Sequence, residues 1–235
     1  MSVDLHTHTR GISPCCKSPY NEIIDDSKAA GLDGIIIANH YQKSYPRDHA
    51  LTASEYVAAY EKEVALAMEY GKSVGCKVFY AIEITAERYK SVHLLVYGVP
   101  FAFLYENPEV YDLELKELYT LVKAYGGVLI QAHPYRGGTT VLDVNYLDGV
   151  EINCHPHFGP THRDRLIAIA EENDLHVTCG GDYHATSYRP LCGMYLPDDI
   201  ADSRQLAAYI LSSAEKTLLV HEQGSDTPTT IKVNA

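Results

Sequence analysis

The segment DLHTHTRGISPCC, residues 4–16, carries two histidines at the end of an apolar strand signal. His6 and His8 follow Val3 and Leu5. Because they stand two residues apart on a strand, their side chains face the same side of it. Paired imidazoles in this position are suited to binding a metal ion. What the pair binds depends on which other ligands the chain brings to it.

The next two elements alternate in type. Three consecutive isoleucines in GLDGIIIANH, residues 31–40, predict a strand that is buried on both faces, as in a parallel sheet. A helix is predicted over residues 52–72, where Thr52 and Glu55 have the spacing of a capping box. The apolar residues near one face of this helix are Tyr56, Tyr60, Val64, Ala67 and Met68.

The alternation continues to the end of the chain. KVFYAIEI and VHLLVYGV, residues 77–84 and 92–99, predict a hairpin of two strands. Further strands are predicted at 128–133, 148–153, 175–184 and 216–221, and further helices at 112–127, 160–173 and 198–214. This rhythm predicts an α/β fold with a parallel sheet or barrel in a single domain, residues 1–221. Residues 222–235 are expected to form a polar C-terminal tail with little order.

Composition and charge exclude several classes of protein. The 235 residues are 46% hydrophobic and carry a formal net charge of -12, which disfavours an extended nucleic-acid-binding surface. The sequence contains no signal-peptide core and no apolar run of membrane-spanning length, so we expect a cytoplasmic protein without a membrane partner. Its six cysteines include no C-x-x-C pair, which favours buried thiols over a structural zinc finger.

Metal-ligating residue types fall at the ends of the predicted strands. In a β/α barrel the active site is built at the carboxyl ends of the strands. A single histidine near a strand end is more often a hydrogen-bonded or surface residue, but the coincidence of eight such positions favours a metal site. Imidazole and carboxylate together suit zinc, manganese or iron. The candidate ligands are His6, His8, His40, Glu83, His93, His133, Asp182 and His184.

An ordered set of motifs resembles the PHP family, the polymerase and histidinol phosphatase domains. The matching pieces are DLHTHT, GLDGIIIANH, AIEIT, HLLVYG, QAHPYR, DGVEIN and GGDYH, from residue 3 to about 185. The H-x-H pair alone is a weak signal, because amidohydrolases also begin with it. The resemblance implies a distorted (β/α)7 barrel that holds two to three divalent ions.

The resemblance also implies how the ligands are shared. His6, His8, Glu83 and Asp182 would hold a first ion. Glu83 would bridge to a second ion, completed by His93 and His133. A third ion would be held by His40 and His184.

Two positions depart from the family pattern, and both concern the third ion. The family commonly supplies another Asp or His shortly after the H-x-H pair, where this chain has only Cys15 and Cys16 as good ligands. Either thiolate could bind the ion, or both thiols could be packing residues, with water completing the site. The second departure is Asn39, which stands where the family usually has Asp. An amide orients the neighbouring His40 ring more weakly than a carboxylate does.

The chemistry implied is hydrolysis of a small phosphorylated substrate, such as a histidinol-phosphate-like monoester, by a metal-activated water at a multinuclear site. Arg136 and Arg10 follow predicted ligands and are candidates for binding the substrate phosphate. His155, His157 and His162 crowd one loop, where they either line the substrate pocket or are solvated. The sequence does not indicate the oligomeric state or the substrate itself.

Three other functions compete with this one. A nucleotide or oligonucleotide 5'-phosphoesterase or exonuclease would use the same metal site on a different substrate. A non-catalytic PHP structural module is disfavoured because the eight ligand positions are intact. An amidohydrolase is disfavoured because no lysine stands at a strand end in the middle of the predicted barrel.

Overall fold

The protein is described here by a computed structural model, which covers residues 1–155, 157, 159–185 and 189–234. The histidine-rich loop after residue 153 therefore belongs to the described residues, except for residues 156 and 158. The described part contains eleven strands and seven α-helices. Three short 3₁₀ turns lie between them, at Val110–Asp112, Arg136–Gly138 and Val144–Tyr146.

The strands agree closely with the predicted ones in the first 180 residues. They are β1 Ser2–Thr7, β2 Gly34–Ile37, β3 His40–Tyr41, β4 Lys77–Thr85, β5 His93–Tyr97, β6 Val128–Gln131, β7 Gly149–Asn153, β8 His176–Gly180, β9 Gly193–Tyr195, β10 Lys216–Val220 and β11 Thr229–Val233. The helices are α1 Tyr20–Ala29, α2 Ser44–Asp48, α3 Ala53–Val74, α4 Ala102–Glu106, α5 Leu115–Ala124, α6 Arg163–Glu172 and α7 Ser203–Ile210.

One twisted sheet runs in the order β11-β10-β9-β1-β2-β4-β5-β6-β7-β8, with β3 paired to β4. The pairs β1–β2, β2–β4, β6–β7 and β7–β8 are parallel, whereas β5 is antiparallel to both neighbours and forms the predicted hairpin with β4. The sheet curls until the segment after β8 meets β1. There the Tyr183 oxygen accepts from the His8 N–H at 3.0 Å, and the Tyr183 N–H donates to the His6 oxygen at 3.3 Å. The sheet is therefore nearly closed.

The helix α3 shows how local sequence builds the barrel wall. Its predicted capping box is present: the Glu55 N–H donates to the Thr52 hydroxyl, and the Glu55 carboxylate accepts from the Thr52 N–H. Gly75 ends the helix in a left-handed conformation, with φ 71°, that costs glycine little. The predicted buried face is correct except for Met68, which is 44% exposed.

The C-terminal segment differs from the expectation of a tail with little order. Thr229–Val233 forms strand β11 and pairs along its whole length with β10. Strand β10 pairs with β9, which in turn pairs with β1, so the segment extends the sheet. The helix α1 was not predicted either, because most of its residues are polar or charged and only Ile23, Ile24 and Ser27 are buried.

The predicted α/β barrel class is confirmed. Because β5, β9, β10 and β11 run antiparallel to neighbours, the strands do not map one to one onto seven repeated β/α units, and that number stays a prediction. Among the described residues, no helix combines the length and apolarity needed to cross a membrane.

Candidate metal centre

All eight predicted ligands meet at one end of the barrel. The parallel strands deliver their carboxyl ends to the same edge, and His93 reaches it from the start of the antiparallel strand β5. Their side chains are buried, apart from partial exposure at His93 and His184. Three groups of predicted ligands have donor atoms within 4.8 Å of one another: His6, His8, Glu83 and Asp182; His40, Glu83 and His93; and His8, His40 and His184.

Four side chains form the deepest part of the centre. His8 Nε2 lies 3.0 Å from His6 Nε2 and 2.8 Å from Asp182 Oδ1. His6 Nε2 in turn lies 3.2 Å from Glu83 Oε1. These four residues, which were predicted to hold the first ion, therefore face one another across a single small space. We call them the inner cluster.

Glu83 connects this inner cluster to the remaining histidines. Its Oε1 lies 3.1 Å from His93 Nδ1 and 3.2 Å from His133 Nε2, while its Oε2 lies 2.6 Å from His40 Nδ1. One fully buried carboxylate thus contacts rings on several strands. The bridging of two ions by Glu83 stays a prediction.

Two of the ligands sit on strained backbone. His133 and Asp182 have φ values of 32° and 48°, in the left-handed region that residues with a Cβ seldom adopt. Such conformations cost about 1–3 kcal/mol each and persist where the surrounding structure holds them. Both occur directly after strands β6 and β8, where the turn aims the side chain into the centre.

A serine fixes which nitrogen of His8 carries a proton. Asn39 Oδ1 accepts from the Thr9 N–H at 2.7 Å, so it must also accept the hydroxyl proton of Ser13, at 2.8 Å. Ser13 Oγ then has only lone pairs left, and it accepts from the His40 N–H at 3.0 Å and from His8 Nδ1 at 2.9 Å. His8 Nδ1 is therefore protonated, and its Nε2 presents a lone pair to the inner cluster.

Glu151 does the same for His6, and the sequence prediction did not include it. This fully buried carboxylate accepts from His6 Nδ1 at 2.8 Å and from the His133 N–H at 3.0 Å. A carboxylate behind a ligand histidine fixes its tautomer and ring orientation. The signal was present, since Glu151 is a charged residue within the otherwise uncharged strand GVEIN.

The charges of the centre favour anionic carboxylates and a neutral His8 ring. Burial raises the pKa of Glu83, but His40, His93 and His6 lower it by more, so it lies well below its usual value. Asp182 behaves likewise, with Arg136 as its largest opposing charge. Burial and the neighbouring His184 hold the pKa of His8 well below its usual value. These protonation states suit metal ligands.

The pKa values of His6 and His93 shift in the opposite direction, and His6 shows the cause. Burial lowers its pKa, but the charges of Glu151, Glu83 and Asp182 raise it by more, so the pKa lies well above its usual value. A protonated His6 can donate from Nε2 to the lone pair of His8 Nε2. This proton lies between the Nε2 atoms of His6 and His8, where a bound cation would contact both rings.

The residues fit divalent ions by an independent observation. Within the described residues, His40 Nδ1 and Glu83 Oε2 are buried and have no hydrogen-bond partner, although they lie 2.6 Å apart. Buried polar atoms normally have partners, and each unpaired one needs an explanation. A cation held by both lone pairs supplies it, and imidazole with carboxylate is a donor set that zinc, manganese and iron accept.

The structure distinguishes the two cysteines near the predicted third ion. Cys15 Sγ lies 3.0 Å from His184 Nε2. Cys16 Sγ instead donates to the carbonyl oxygens of His8, Ser18 and His184, at 3.1–3.4 Å. Cys16 is thus a packed thiol, while Cys15 faces a predicted ligand.

The interpretation of Asn39 needs correction. Its amide was expected to orient the ring of His40, but it bonds to Thr9 and Ser13 instead. Through Ser13 it supports the tautomer of His8. The physical reason is that the turn after His8 folds back over Asn39 and presents backbone and hydroxyl groups to its side chain.

The two arginines lie in different settings. Arg136 donates to the carboxylate of Asp182 and to the side-chain oxygen of Asn153, so it contacts a predicted ligand directly. Arg10 is exposed after the H-x-H strand, and its N–H donates to the Ser18 oxygen at 2.9 Å. Phosphate binding by Arg136 or Arg10 stays a prediction.

A cleft beside the centre receives two of the three loop histidines. His155 and His162 line it together with His133, Arg136 and Asn153, while His157 is exposed. The donor atom of His155 comes within 4.8 Å of those of Asp182 and His184, a grouping that the sequence did not suggest. Burial lowers the pKa of His155 to about 4.

Comparison with known proteins gives matches only among solved structures. No protein-family model and no curated protein matches the chain. A two-domain protein from Bacteroides vulgatus, which contains a predicted PHP-like metal-dependent phosphoesterase, superposes with a TM-score of 0.66 at 15% identity. The match covers 94% of this chain and 65% of that one.

Two further structures match at similar levels. A proposed metal-dependent phosphoesterase from Bifidobacterium adolescentis superposes with a TM-score of 0.53 at 18% identity, over 89% of this chain and 95% of that one. An amidohydrolase from Chromobacterium violaceum superposes with a TM-score of 0.55 at 12% identity, over 89% and 96%. At these identities the matches show the fold, and that fold is PHP-like.

Proposed function

We propose that this chain, which has the fold of the PHP-like metal-dependent phosphoesterases, hydrolyses a small phosphate monoester at a multinuclear metal site. The observation that carries the proposal is the position of Glu83. A single buried carboxylate contacts His6, His40, His93 and His133, as a ligand shared between ions would. A purely structural carboxylate has no need of four imidazoles.

The ligands divide among two to three divalent ions. His6, His8, Glu83 and Asp182 would hold the first, and Glu83, His93 and His133 the second. His40 and His184 would hold the third together with Cys15, whose Sγ lies 3.0 Å from His184 Nε2. Zinc accepts thiolate, imidazole and carboxylate alike, which makes it a suitable ion at the third position.

When bound, such ions would supply Lewis-acid stabilisation of a phosphoryl group and a water that is acidic enough to attack at neutral pH. The protein's own residues prepare the place for this chemistry. Glu151 and Ser13 orient the rings of His6 and His8, and Arg136 partly neutralises Asp182. Burial of the carboxylates strengthens their attraction for bound cations.

Release of inorganic phosphate tests the proposal. The chain would be stripped with a chelator, reloaded separately with zinc, manganese or iron, and assayed with a chromogenic aryl phosphate. We expect metal-dependent turnover that chelator abolishes and metal restores. Fully metal-loaded, folded protein that releases no phosphate from any small monoester would contradict the proposal.

Two other classes of substrate test the alternatives, and the amide needs its own readout because its hydrolysis releases no phosphate. The amidohydrolase fold match favours including a small amide as substrate. Mononucleotides and a short oligonucleotide test the nucleotide alternative, although a net charge of -12 disfavours long polymers. We expect the small monoesters to be hydrolysed fastest.

A further inference from the structure

The cleft beside the metal centre has walls of unusual composition. It lies between the turn after β6 and the loop after β7, is open to solvent, and has a cavity volume of about 20 Å³. Its walls include Arg136, Asn153, His155, Thr161 and His162. We call this space the side cleft.

The side cleft opens on the predicted ligands. His133 belongs to its wall, and Arg136 from the same wall donates to Asp182. His155, on the opposite loop, packs its ring against His184, with 5.9 Å between ring centroids. The side cleft is therefore a loop-walled space next to the predicted metal centre that the alcohol part, the leaving group, of a bound phosphate ester can reach.

No carboxylate lines the side cleft among the described residues, and residues 156 and 158 of its loop are Pro and Phe by sequence. Glu222 contacts the wall residue Thr161, but its carboxylate accepts the Thr161 hydroxyl at 2.8 Å and lies 3.6 Å from Arg163. Its charge is thus already paired. Asp164 is paired as well, since it accepts from Arg163 Nε at 2.8 Å.

The surroundings of the side cleft are basic although the chain is acidic. Residues 153–165 contain two Arg against one Asp, in a protein of net charge -12, and three His, of which His155 is neutral because its pKa is lowered to about 4. The Arg165 guanidinium stacks on the Tyr135 ring at 3.8 Å, and that ring packs edge-on against His162 at 5.4 Å. Cationic and hydrogen-bonding groups therefore concentrate at this one place.

We propose that the side cleft selects substrates whose leaving group carries a second anionic group, a carboxylate or phosphate, and rejects those that carry an ammonium. This inference rests on the proposed phosphoesterase function. An ammonium in the side cleft would lie near Arg136 and the predicted metal centre, and the nearest described carboxylates, Asp182 and Glu222, are already paired with Arg136 and Arg163. Like charges brought together in this way cost several kcal/mol. The histidinol-phosphate-like substrate suggested by the sequence resemblance carries such an ammonium.

Three monoesters of equal chain length test the selection. They are 3-phosphooxypropanoate, propyl phosphate and 3-aminopropyl phosphate, which differ only in the charge at the far end. With the metal-loaded enzyme we expect kcat/KM to fall in that order, by about tenfold or more between the acid and the amine. Equal rates for all three would overturn the selection while leaving the phosphoesterase function intact.

A charge swap in the side cleft sharpens the test. His162→Asp places a carboxylate in its wall, at a helix N-cap position with φ 56° that Asp tolerates. We expect the preference of acid over amine to shrink at least about fivefold, mainly through KM. The new carboxylate would attract the ammonium of the amine ester and repel the carboxylate of the acid ester. His157→Asp, in the same loop but exposed, is the matched control and should leave the preference unchanged.

The outcomes separate the two proposals. Phosphate release from propyl phosphate with no charge preference refutes the selection alone. Absence of release from all three esters and from an aryl phosphate, by metal-loaded protein, refutes the phosphoesterase function. A preference that shifts equally in His162→Asp and His157→Asp would show that general surface charge, and not the side cleft, selects the substrate.

Discussion

The inner cluster and the side cleft are neighbours, yet they are built on different principles. The inner cluster stands on strand ends, and its four side chains are almost completely buried. Its ring orientations are fixed by residues behind it, such as Ser13 and Glu151. The side cleft is walled by loops, and part of its wall is exposed or half-buried.

This difference suggests that the inner cluster determines which reaction occurs and that the side cleft determines which substrate is chosen. Rigid strand ends hold several donors in one place, which metal-assisted hydrolysis requires. Loops can change in charge and shape without disturbing those strands, and they are where specificity is commonly found. Changes in the inner cluster should therefore alter metal binding and rate together, whereas changes in the side cleft should alter the choice of substrate.

The largest effect is expected at Glu83. Glu83→Gln keeps the size of the side chain but removes the charge that four histidines contact. We expect kcat/KM to fall by at least about 10³-fold, beyond the 10–100-fold typical of an outer partner. Metal content per chain should fall by one ion or more. An active enzyme with full metal content would remove Glu83 from the centre.

Glu151 tests whether residues behind the inner cluster matter. Glu151→Gln retains an acceptor for His6 but turns an amide towards one of the N–H groups that now donate to the carboxylate. We expect metal affinity and kcat/KM to fall about 10–100-fold without loss of fold. Circular dichroism checks the fold, and metal titration measures the affinity. Unchanged affinity would mean that ring orientation does not depend on this carboxylate.

The proton on His6 predicts how metal binding depends on pH. Burial lowers the pKa of His6, but the charges of Glu151, Glu83 and Asp182 raise it by more. The proton that His6 therefore carries must leave when a metal binds. Apparent affinity should therefore rise by up to about tenfold per pH unit until the pH exceeds that raised pKa, and level off above it.

Calorimetry in buffers of different ionisation enthalpy counts the protons that are released when the metal binds. At neutral pH we expect about one proton to be released for the ion that binds His6 and His8. Release of none, together with a flat pH profile, would show that the ring is already neutral.

Ser13 tests the tautomer of His8. Ser13→Ala removes the acceptor of His8 Nδ1, so neither tautomer of the ring is favoured. We expect affinity for the first ion to fall about tenfold, at the lower end of the range for outer partners. Ser18→Ala, at another buried serine near the same turn, is the control. Equal losses in both variants would indicate general destabilisation of the turn.

The smallest effect on rate is expected at Cys15, although a metal–thiolate bond there would give the clearest spectroscopic signal. Cobalt-substituted protein should show a near-ultraviolet thiolate charge-transfer band if Cys15 binds the third ion. Cys15→Ser should lose that band and bind the weakest ion about tenfold less tightly. Cys16→Ser should keep the band, because its thiol donates to backbone carbonyls. A band that survives Cys15→Ser would exclude this ligand.

The sequence predicted the inner cluster well because a strand end is a local feature. His6, His8 and Asp182 each lie at the end of a predicted strand, and parallel strands must bring such ends together. The tautomer relay through Ser13 could not be predicted, since it depends on a turn folding back over Asn39. Glu151 could have been found as a charge within an apolar strand.

The sequence was less informative about loops and edges. His155 and His162 share a loop with His157, and only the folded loop shows which of them line the side cleft. Strand β11 was missed because three of its five residues are polar and exposed, as is common in an edge strand. Cys15 and Cys16 are adjacent and chemically identical, so only their directions in the fold distinguish them.

Metal stoichiometry tests the central claim most directly. The folded apo chain would be titrated with zinc or manganese, and bound ions counted by elemental analysis after removal of free metal. The account predicts two to three equivalents per chain, with phosphate release appearing as they bind. A folded chain that takes up no divalent ion, while its eight ligands remain intact, would contradict it.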